Sequence, residues 1–302
     1  VGLTDSLKRL LTVEGPMHQQ DLIYLSDLSW DQMQELEAIW YGAPASRRVQ
    51  LIKQLQKLAN DDVQYNFKRI FLFALEDHHP AVRKVAVEGL WEEDSPFILE
   101  KLEGILLNDS SLEVRVSAAG VLSNYAYKSA VGELDDEHAS RLQEVLQDIV
   151  QQADDGSELQ RKALEALAFF EKDPIADDYI ERLYWEGGYE EQASALIAMG
   201  RSMNTKWSST IIKELGNPHP KLRKEAARAA GEMALRESVP DLIRLTQEDT
   251  DKEAIHAAIW ALGQIGTPQA KRMLRHIANS SNKDLQSAAE EALDEAMYSG
   301  DI

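Results

Sequence analysis

The residues whose types and spacing could do chemistry are concentrated at Asp77-His78-His79-Pro80, with Arg83 close behind. An aspartate beside two histidines suggests metal ligation or proton transfer, and an arginine suggests a held anion. The spacing weakens the first idea, because side chains adjacent in sequence point to different sides of a helix. With no cysteine in the chain, thiolate metal sites, cysteine nucleophiles and disulfides are excluded. There is no GxGxxG, no GxxxxGK[ST] and no GxSxG. Carboxylates are plentiful, but none is recognisably paired against an apolar background that would tune a pKa. No catalytic residue, no metal ligand and no cofactor is therefore expected.

The elements that position these residues explain them better. Residues 77–90 read as a loop and then a helix with apolar positions at Val82, Ala86, Gly89 and Leu90, one stripe of an α-helix. Asp109 leads in the same way to Val114, Arg115, Ala118 and Leu122, and Asn217 to Leu222, Arg223, Ala226 and Ala230. Matching helices end near Leu55, Leu90, Leu122, Leu167, Met199, Ala230, Leu262 and Leu293, with gaps of 35, 32, 45, 32, 31, 32 and 31 residues. Such a period marks a repeat architecture in which each unit packs on its neighbours.

The expected fold is all-α, a right-handed solenoid of about eight helical hairpins with irregular ends. Residues 1–43 form a less regular cap: Leu3, Leu7, Leu10 and Leu11 suggest one helix, and Ser29 caps a second that buries Met33, Leu36, Ile39 and Trp40. Trp30, Trp40 and Tyr41 are expected in that cap's core. The repeats run over 44–298, with hairpin helices such as 63–75, 96–107 and 252–265, and 299–302 is a tail. The 45-residue gap places an acidic insertion near 127–138, read as a loop at one edge. The first residues lack an apolar signal-peptide core, no run reaches the roughly 18 apolar residues of a membrane span, and a cytoplasmic protein is expected. The chain begins at Val1, which leaves its native start open.

Net charge is −20, and residues 61–200 carry 30 acidic against 12 basic groups, so the acidity sits mid-chain. Such a surface repels nucleic acid and suits solubility or a basic partner. Only residues 201–236 are locally basic, through Arg201, Lys206, Lys213, Lys221, Arg223, Lys224, Arg228 and Arg236. That window reads as a solvated helix face rather than a polyanion site.

The recurring loop Asp, Val-Arg, Ala four residues after the Val, and closing Ala/Gly-Leu resemble the HEAT repeat. The period near 32 is shorter than the roughly 40–47 of that class and is similar to compact HEAT-like repeats of the phycobilisome-lyase type. The resemblance covers about residues 44–295. It implies a ladder in which the repeat Arg reaches the Asp of the neighbouring repeat, involving Asp77, Arg83, Asp109, Arg115, Asn217 and Arg223. The column decays to Gln160, Gln192, Ile255 and Gln286. The family's di-iron hydroxylase branch uses His-Glu pairs. This chain has no His-Glu dipeptide, and Glu137-His138 is the reverse order.

The resemblance also implies a concave face lined by the second helix of each hairpin. Positions six and two before each helix end put Lys84 and Glu88, Arg161 and Glu165, Ile197, Lys224 and Arg228, and His256 and Trp260 on that face. A face meant only for solvation would be uniformly polar, so His256 and Trp260, one turn apart, are the best contact candidates. The expected function is a non-catalytic scaffold or adaptor engaging a protein partner there. The alternatives are a bilin-lyase-type enzyme or lyase subunit, and a nucleic-acid-binding HEAT protein, which the net charge disfavours. Oligomeric state is open, with a monomer as the simpler expectation.

Overall fold

The computed structural model describes residues 2–13 and 15–298, whose regular secondary structure is helical; Val1, Glu14 and the expected tail 299–302 lie outside the described residues. The chain divides into two compact units, Val1–Tyr125 and Ala126–Ile302. The first unit contains α1 (Leu3–Thr12), α2 (Gln19–Ile23), α3 (Trp30–Trp40), α4 (Ala45–Asp61), α5 (Lys68–Ala74), α6 (Pro80–Glu88), α7 (Pro96–Asn108) and most of α8 (Leu112–Ala130). The second contains α9 (Asp136–Gln152), α10 (Glu158–Leu167), α11 (Pro174–Glu186), α12 (Tyr189–Arg201), α13 (Ser208–Glu214), α14 (Pro220–Glu232), α15 (Val239–Glu248), α16 (Lys252–Ile265), α17 (Pro268–Ala278) and α18 (Lys283–Tyr298). α5/α6, α9/α10, α11/α12, α13/α14, α15/α16 and α17/α18 pack as hairpins, and from α4 on the repeat ends fall in or just after the even-numbered helices.

Local chemistry starts and stops these helices where the chain demands. Ser29 and Gln32 form a reciprocal capping box on α3. Ser95, Ser157, Asp173, Asp251 and Thr267 each accept a backbone N–H in the first turn of α7, α10, α11, α16 and α17. Proline opens α6, α7, α11 and α14, where its missing N–H costs nothing. Gly266 ends α16 in the left-handed region at φ 62°. The apolar stripe faces inward: Val82, Ala86, Leu90, Val114, Ala118 and Leu122 are fully buried.

In the second unit the even-numbered helices pack on one another in order, α10 on α12, α12 on α14, α14 on α16 and α16 on α18. Their counterparts in the other row, α11, α15 and α17, touch more sparsely. Glycine allows the close approach. A Cβ at Gly200 would lie 2.8 Å from Ala229 Cα, at Gly231 2.9 Å from Ala261 Cα, and at Gly263 2.9 Å from Ala292 Cβ. One glycine per repeat thus lets one second helix seat its backbone against the next.

Four expectations change. The segment 63–75 is helical only from Lys68, because Asp62 accepts the Gln64 N–H and Asn66 that of Lys68, turning the chain before the helix starts. The acidic insertion is not a long projecting loop: α8 runs on to Ala130 and α9 starts at Asp136, capped by Asp135. In the N-terminal cap, Trp40 is fully buried, whereas Trp30 is 76% exposed beneath Arg69 and Tyr41 is also exposed. Hydrogen bonding explains the split: Trp40 Nε1 donates to Asp77 inside, and the Trp30 face is used by a guanidinium outside.

Candidate functional site

The opening stretch is saturated with internal bonds. Asp77 accepts from Trp40 Nε1 at 2.6 Å, Arg48 Nη2 at 3.0 Å and the His79 N–H at 2.8 Å. Burial alone would raise its pKa; these donors outweigh it and leave the carboxylate below its ordinary range. His79 Nδ1 accepts the Ala81 N–H at the start of α6, and His78 stacks on Tyr41 with ring centroids 5.1 Å apart. A buried carboxylate held ionised by three donors is a weak base with little access to a substrate, so this grouping works as a brace.

The arginines act in two ways. Arg83 forks onto Asp109 (2.8 and 2.7 Å) while donating to the Asp77 carbonyl at 2.9 Å. Arg223 forks onto Asp249 (2.6 and 2.7 Å) while donating to the Asn217 carbonyl at 2.9 Å. Each acceptor Asp also takes the N–H two residues on, from Ser111 and Asp251. Burial pushes both carboxylates up, and the arginine bonds carry them below the usual range. Asn217 stands where an Asp would, accepting the His219 N–H at 2.8 Å. Elsewhere the column turns inward: Arg115 Nε donates to Leu106 O at 2.8 Å, Gln160 Nε2 to Val150 O at 2.8 Å and Gln192 Nε2 to Tyr184 O at 3.3 Å. Those bonds tie the second helix to the first helix of its own hairpin.

The basic window 201–236 is largely consumed by ion pairs and hydrogen bonds. Arg201 donates to the Glu165 carbonyl, Lys206 meets Asp177 at 2.9 Å, Lys213 meets Glu214, Lys221 meets Glu190, Arg223 meets Asp249 and Lys224 meets Glu253 at 2.8 Å. Little free positive charge is left for a phosphate backbone.

Among the nominated face residues, several are structural. Lys84 and Glu88 approach to 4.0 Å, and Glu88 also accepts from Ser117 at 3.1 Å. Glu165 is buried, held by Ser194 Oγ at 2.7 Å and Lys162 Nζ at 2.8 Å. Arg161 donates to the Gly156 carbonyl and lies 3.5 Å from Glu191. The paired serines, Ser117 and Ser194, sit at matching repeat positions and link adjacent second helices. Ile197 is half-buried on α12.

Lys224, Arg228, His256 and Trp260 come together. With Glu232, Glu253, Glu291 and Glu295 they line a groove of about 580 Å³ across α14, α16 and α18. Its floor is made of small side chains, including Ala257, Ala288 and Ala292. Trp260 is half-exposed, and its Cζ3 lies where a Cβ at Gly231 would come within 2.6 Å, so the indole packs on α14 and also faces the groove. His256 Nε2 is 3.1 Å from Asp284 Oδ2. Glu232 keeps solvent access at one side, but its carboxylate rests against Gly200. Burial raises its pKa despite the opposing pull of Arg201 and Arg228. Glu232 and the glycine row were not read from sequence, although Gly200, Gly231 and Gly263 each follow a marked helix end by one residue. A second groove, of about 610 Å³, opens beside Asp77, His78, Arg83 and Asp109, whose polar groups are already committed to one another or to nearby backbone. No group of three metal-ligating side chains is placed to hold an ion among the described residues.

Residues 208–294 match the family described as HEAT repeats. No curated protein matches the sequence. Among solved structures, the complex of CpcE and CpcF of phycocyanin lyase from Nostoc sp. aligns with a TM-score of 0.54 at 17% identity, covering 77% of this chain and 91% of that one. Importin beta aligns with a TM-score of 0.49 at 15% identity over 98% of this chain and 46% of its own. Human deoxyhypusine hydroxylase aligns with a TM-score of 0.39 at 18% identity over 98% and 96% of the two chains. The match to HEAT repeats over residues 208–294 and the likeness to the phycocyanin lyase complex agree with the helical fold of the described residues, a HEAT-type solenoid fold.

Proposed function

We propose that the protein is a non-catalytic binding scaffold that engages a protein partner on the second-helix face of residues 126–298, anchored at the α14–α16–α18 groove. The observation that carries this reading is Trp260, half-exposed in a groove of about 580 Å³ beside Arg228 and His256. An accessible aromatic in a concave, partly desolvated setting is the type of residue that dominates interface energies. Packed helices supply a firm backing, so little ordering entropy opposes association. The reading includes a cytoplasmic location, supported by the cysteine-free sequence, and treats residues 1–43 as a cap.

The test is a photo-crosslinking residue at Ser287, exposed on α18, against one at Arg275, exposed on α17. Both are introduced into the full chain in its native host. A discrete crosslinked protein from position 287, absent from 275 and lost with Trp260→Ala, is expected. Equal crosslinking from both positions overturns the reading. Nucleic acid is the poorer fit, because the cations of 201–236 are mostly paired. A lyase-type role is a second reading, favoured by the likeness to the phycocyanin lyase complex. Chain-dependent covalent pigment transfer onto phycocyanin would support it.

A further inference from the structure

Asp155–Gly156 is the only Asp-Gly pair in the chain, and there is no Asn-Gly. Such a pair can react with itself, because glycine has no Cβ to keep its amide nitrogen away from the preceding carboxyl carbon. In the first step the Gly156 nitrogen bonds to Asp155 Cγ, and the amide proton and the carboxyl hydroxyl leave as water. In the second, water adds back to either carbonyl of the five-membered imide. Breaking the new C–N bond restores aspartate. Breaking the original one leaves isoaspartate, with the main chain now running through the former side chain.

Glycine is required at position 156. Its φ is +69°, and a Cβ there would lie 3.3 Å from Glu191 Oε1. The Asp154 carbonyl accepts the Ser157 N–H at 3.0 Å, so the reactive pair forms the middle of a tight turn. The Asp155 side chain is 69% exposed, so water reaches it. The turn runs directly into α10, where Ser157 Oγ caps the Gln160 N–H.

Two side chains oppose the reaction. The Gly156 N–H, whose nitrogen must become the nucleophile, donates to Gln160 Oε1 at 2.8 Å. Gln160 is itself buried, with its amide nitrogen fixed on Val150 O at 2.8 Å. At the matching place in other repeats Arg83, Arg115 and Arg223 can only donate. A glutamine there supplies the acceptor that this turn needs. On the other partner, Arg182 Nη2 bonds Asp155 Oδ1, and the same guanidinium rests 4.5 Å from the Tyr179 ring centre. Forming water from the carboxyl group needs a proton on a carboxylate oxygen, and Arg182 occupies Oδ1 and tethers the group to α11.

We propose that Asp155–Gly156 is a site of spontaneous conversion to isoaspartate, and that Gln160 and Arg182 hold the conversion back in the folded chain. The product adds one carbon to the main-chain path just ahead of the Ser157 cap and of the Gly156 carbonyl, which Arg161 Nη1 holds at 2.7 Å. The start of α10 is therefore what the two side chains protect.

The test incubates the full chain for several weeks, warm and at neutral pH. Trypsin releases residues 142–161 as one peptide, and electron-transfer fragmentation tells isoaspartate from aspartate at 155. Isoaspartate should form there about tenfold more slowly in the folded chain than in the same chain unfolded in guanidinium chloride. Gln160→Met, which keeps bulk and removes the acceptor, should speed it about fivefold. Arg182→Met should speed it about twofold to threefold. Asp94–Ser95, read in the same digest, reports general loosening and should keep its wild-type rate. Circular dichroism confirms that each variant is folded, and if Gln160→Met is not, Arg182→Met decides alone. No isoaspartate at 155 in either state, a folded rate equal to the unfolded one, or folded variants at the wild-type rate overturns the proposal. So does an equal acceleration at Asp94–Ser95.

Discussion

Substituting Gly231 by alanine should loosen the second unit even though alanine is the better helix former. The added Cβ would lie 2.6 Å from Trp260 Cζ3, 2.9 Å from Ala261 Cα and 3.0 Å from Ala261 Cβ. The indole could swing, but the Ala261 backbone moves only if α16 separates from α14. Overpacking of this kind costs about 1–3 kcal/mol, against which alanine recovers up to about 1 kcal/mol of helix propensity. The net expectation is a loss of about 1–2 kcal/mol. Gly120→Ala in α8 is the control: nothing lies within 4 Å of its added Cβ, so the propensity gain stands alone and that variant should be slightly more stable. Urea unfolding read by circular dichroism measures both, and the Trp260 indole signal should broaden or move in Gly231→Ala alone. A Gly231→Ala protein as stable as wild type, with its Trp260 signal in place, would refute the close-packed helix row and the groove built on it.

Three further outcomes follow from the arginine braces and the groove. A double-mutant cycle of Arg223→Ala and Asp249→Ala should give a coupling of about 1–3 kcal/mol, because the pair is bidentate and mostly buried. Arg223→Lys should not restore it, since an ammonium cannot reproduce the fork. Asp109 and Asp249 titrate below their ordinary value of 3.8 in the folded protein. Their stabilisation is therefore present above that pH and is lost as the pH falls through the folded values, and Asp249→Asn should flatten the acid limb of a stability–pH curve. Glu232 has the opposite sign: its raised folded pKa favours the folded state at low pH and opposes it once the group ionises. Glu232→Gln should thus be neutral or stabilising at pH 7 and without effect well below pH 4, measured by thermal unfolding across pH.

What was legible in the sequence follows from what repeats. Val82, Ala86 and Leu90 recur at helical spacing, so the hairpins and their buried stripe could be read directly. The Arg and Asp columns are visible in the sequence, but a ladder between them came only from the HEAT resemblance; in the structure Arg83 meets Asp109 and Arg223 meets Asp249. Features that depend on neighbouring helices were harder to see. Glu165 sits at a face position by register, yet Ser194 of α12 and Lys162 one turn back cover it. Trp30 has the composition of a core residue but lies outside beneath Arg69. The insertion after α8 looks like a loop by count, and the chain spends it on longer helices. His256 and Trp260 could be nominated because a departure from the repeat is visible in one dimension. Glu232, one residue after Gly231, takes its character from Gly200 and two arginines.

Amide hydrogen exchange tests the central claim most directly, comparing the chain alone with its complex with the protein crosslinked through position 287. Binding on the second-helix face predicts new protection in the second helices α14, α16 and α18, strongest around His256 and Trp260, with α13, α15 and α17 unchanged. Protection confined to α13, α15 and α17, or to the loops at residues 77–80 and 131–135, would contradict it.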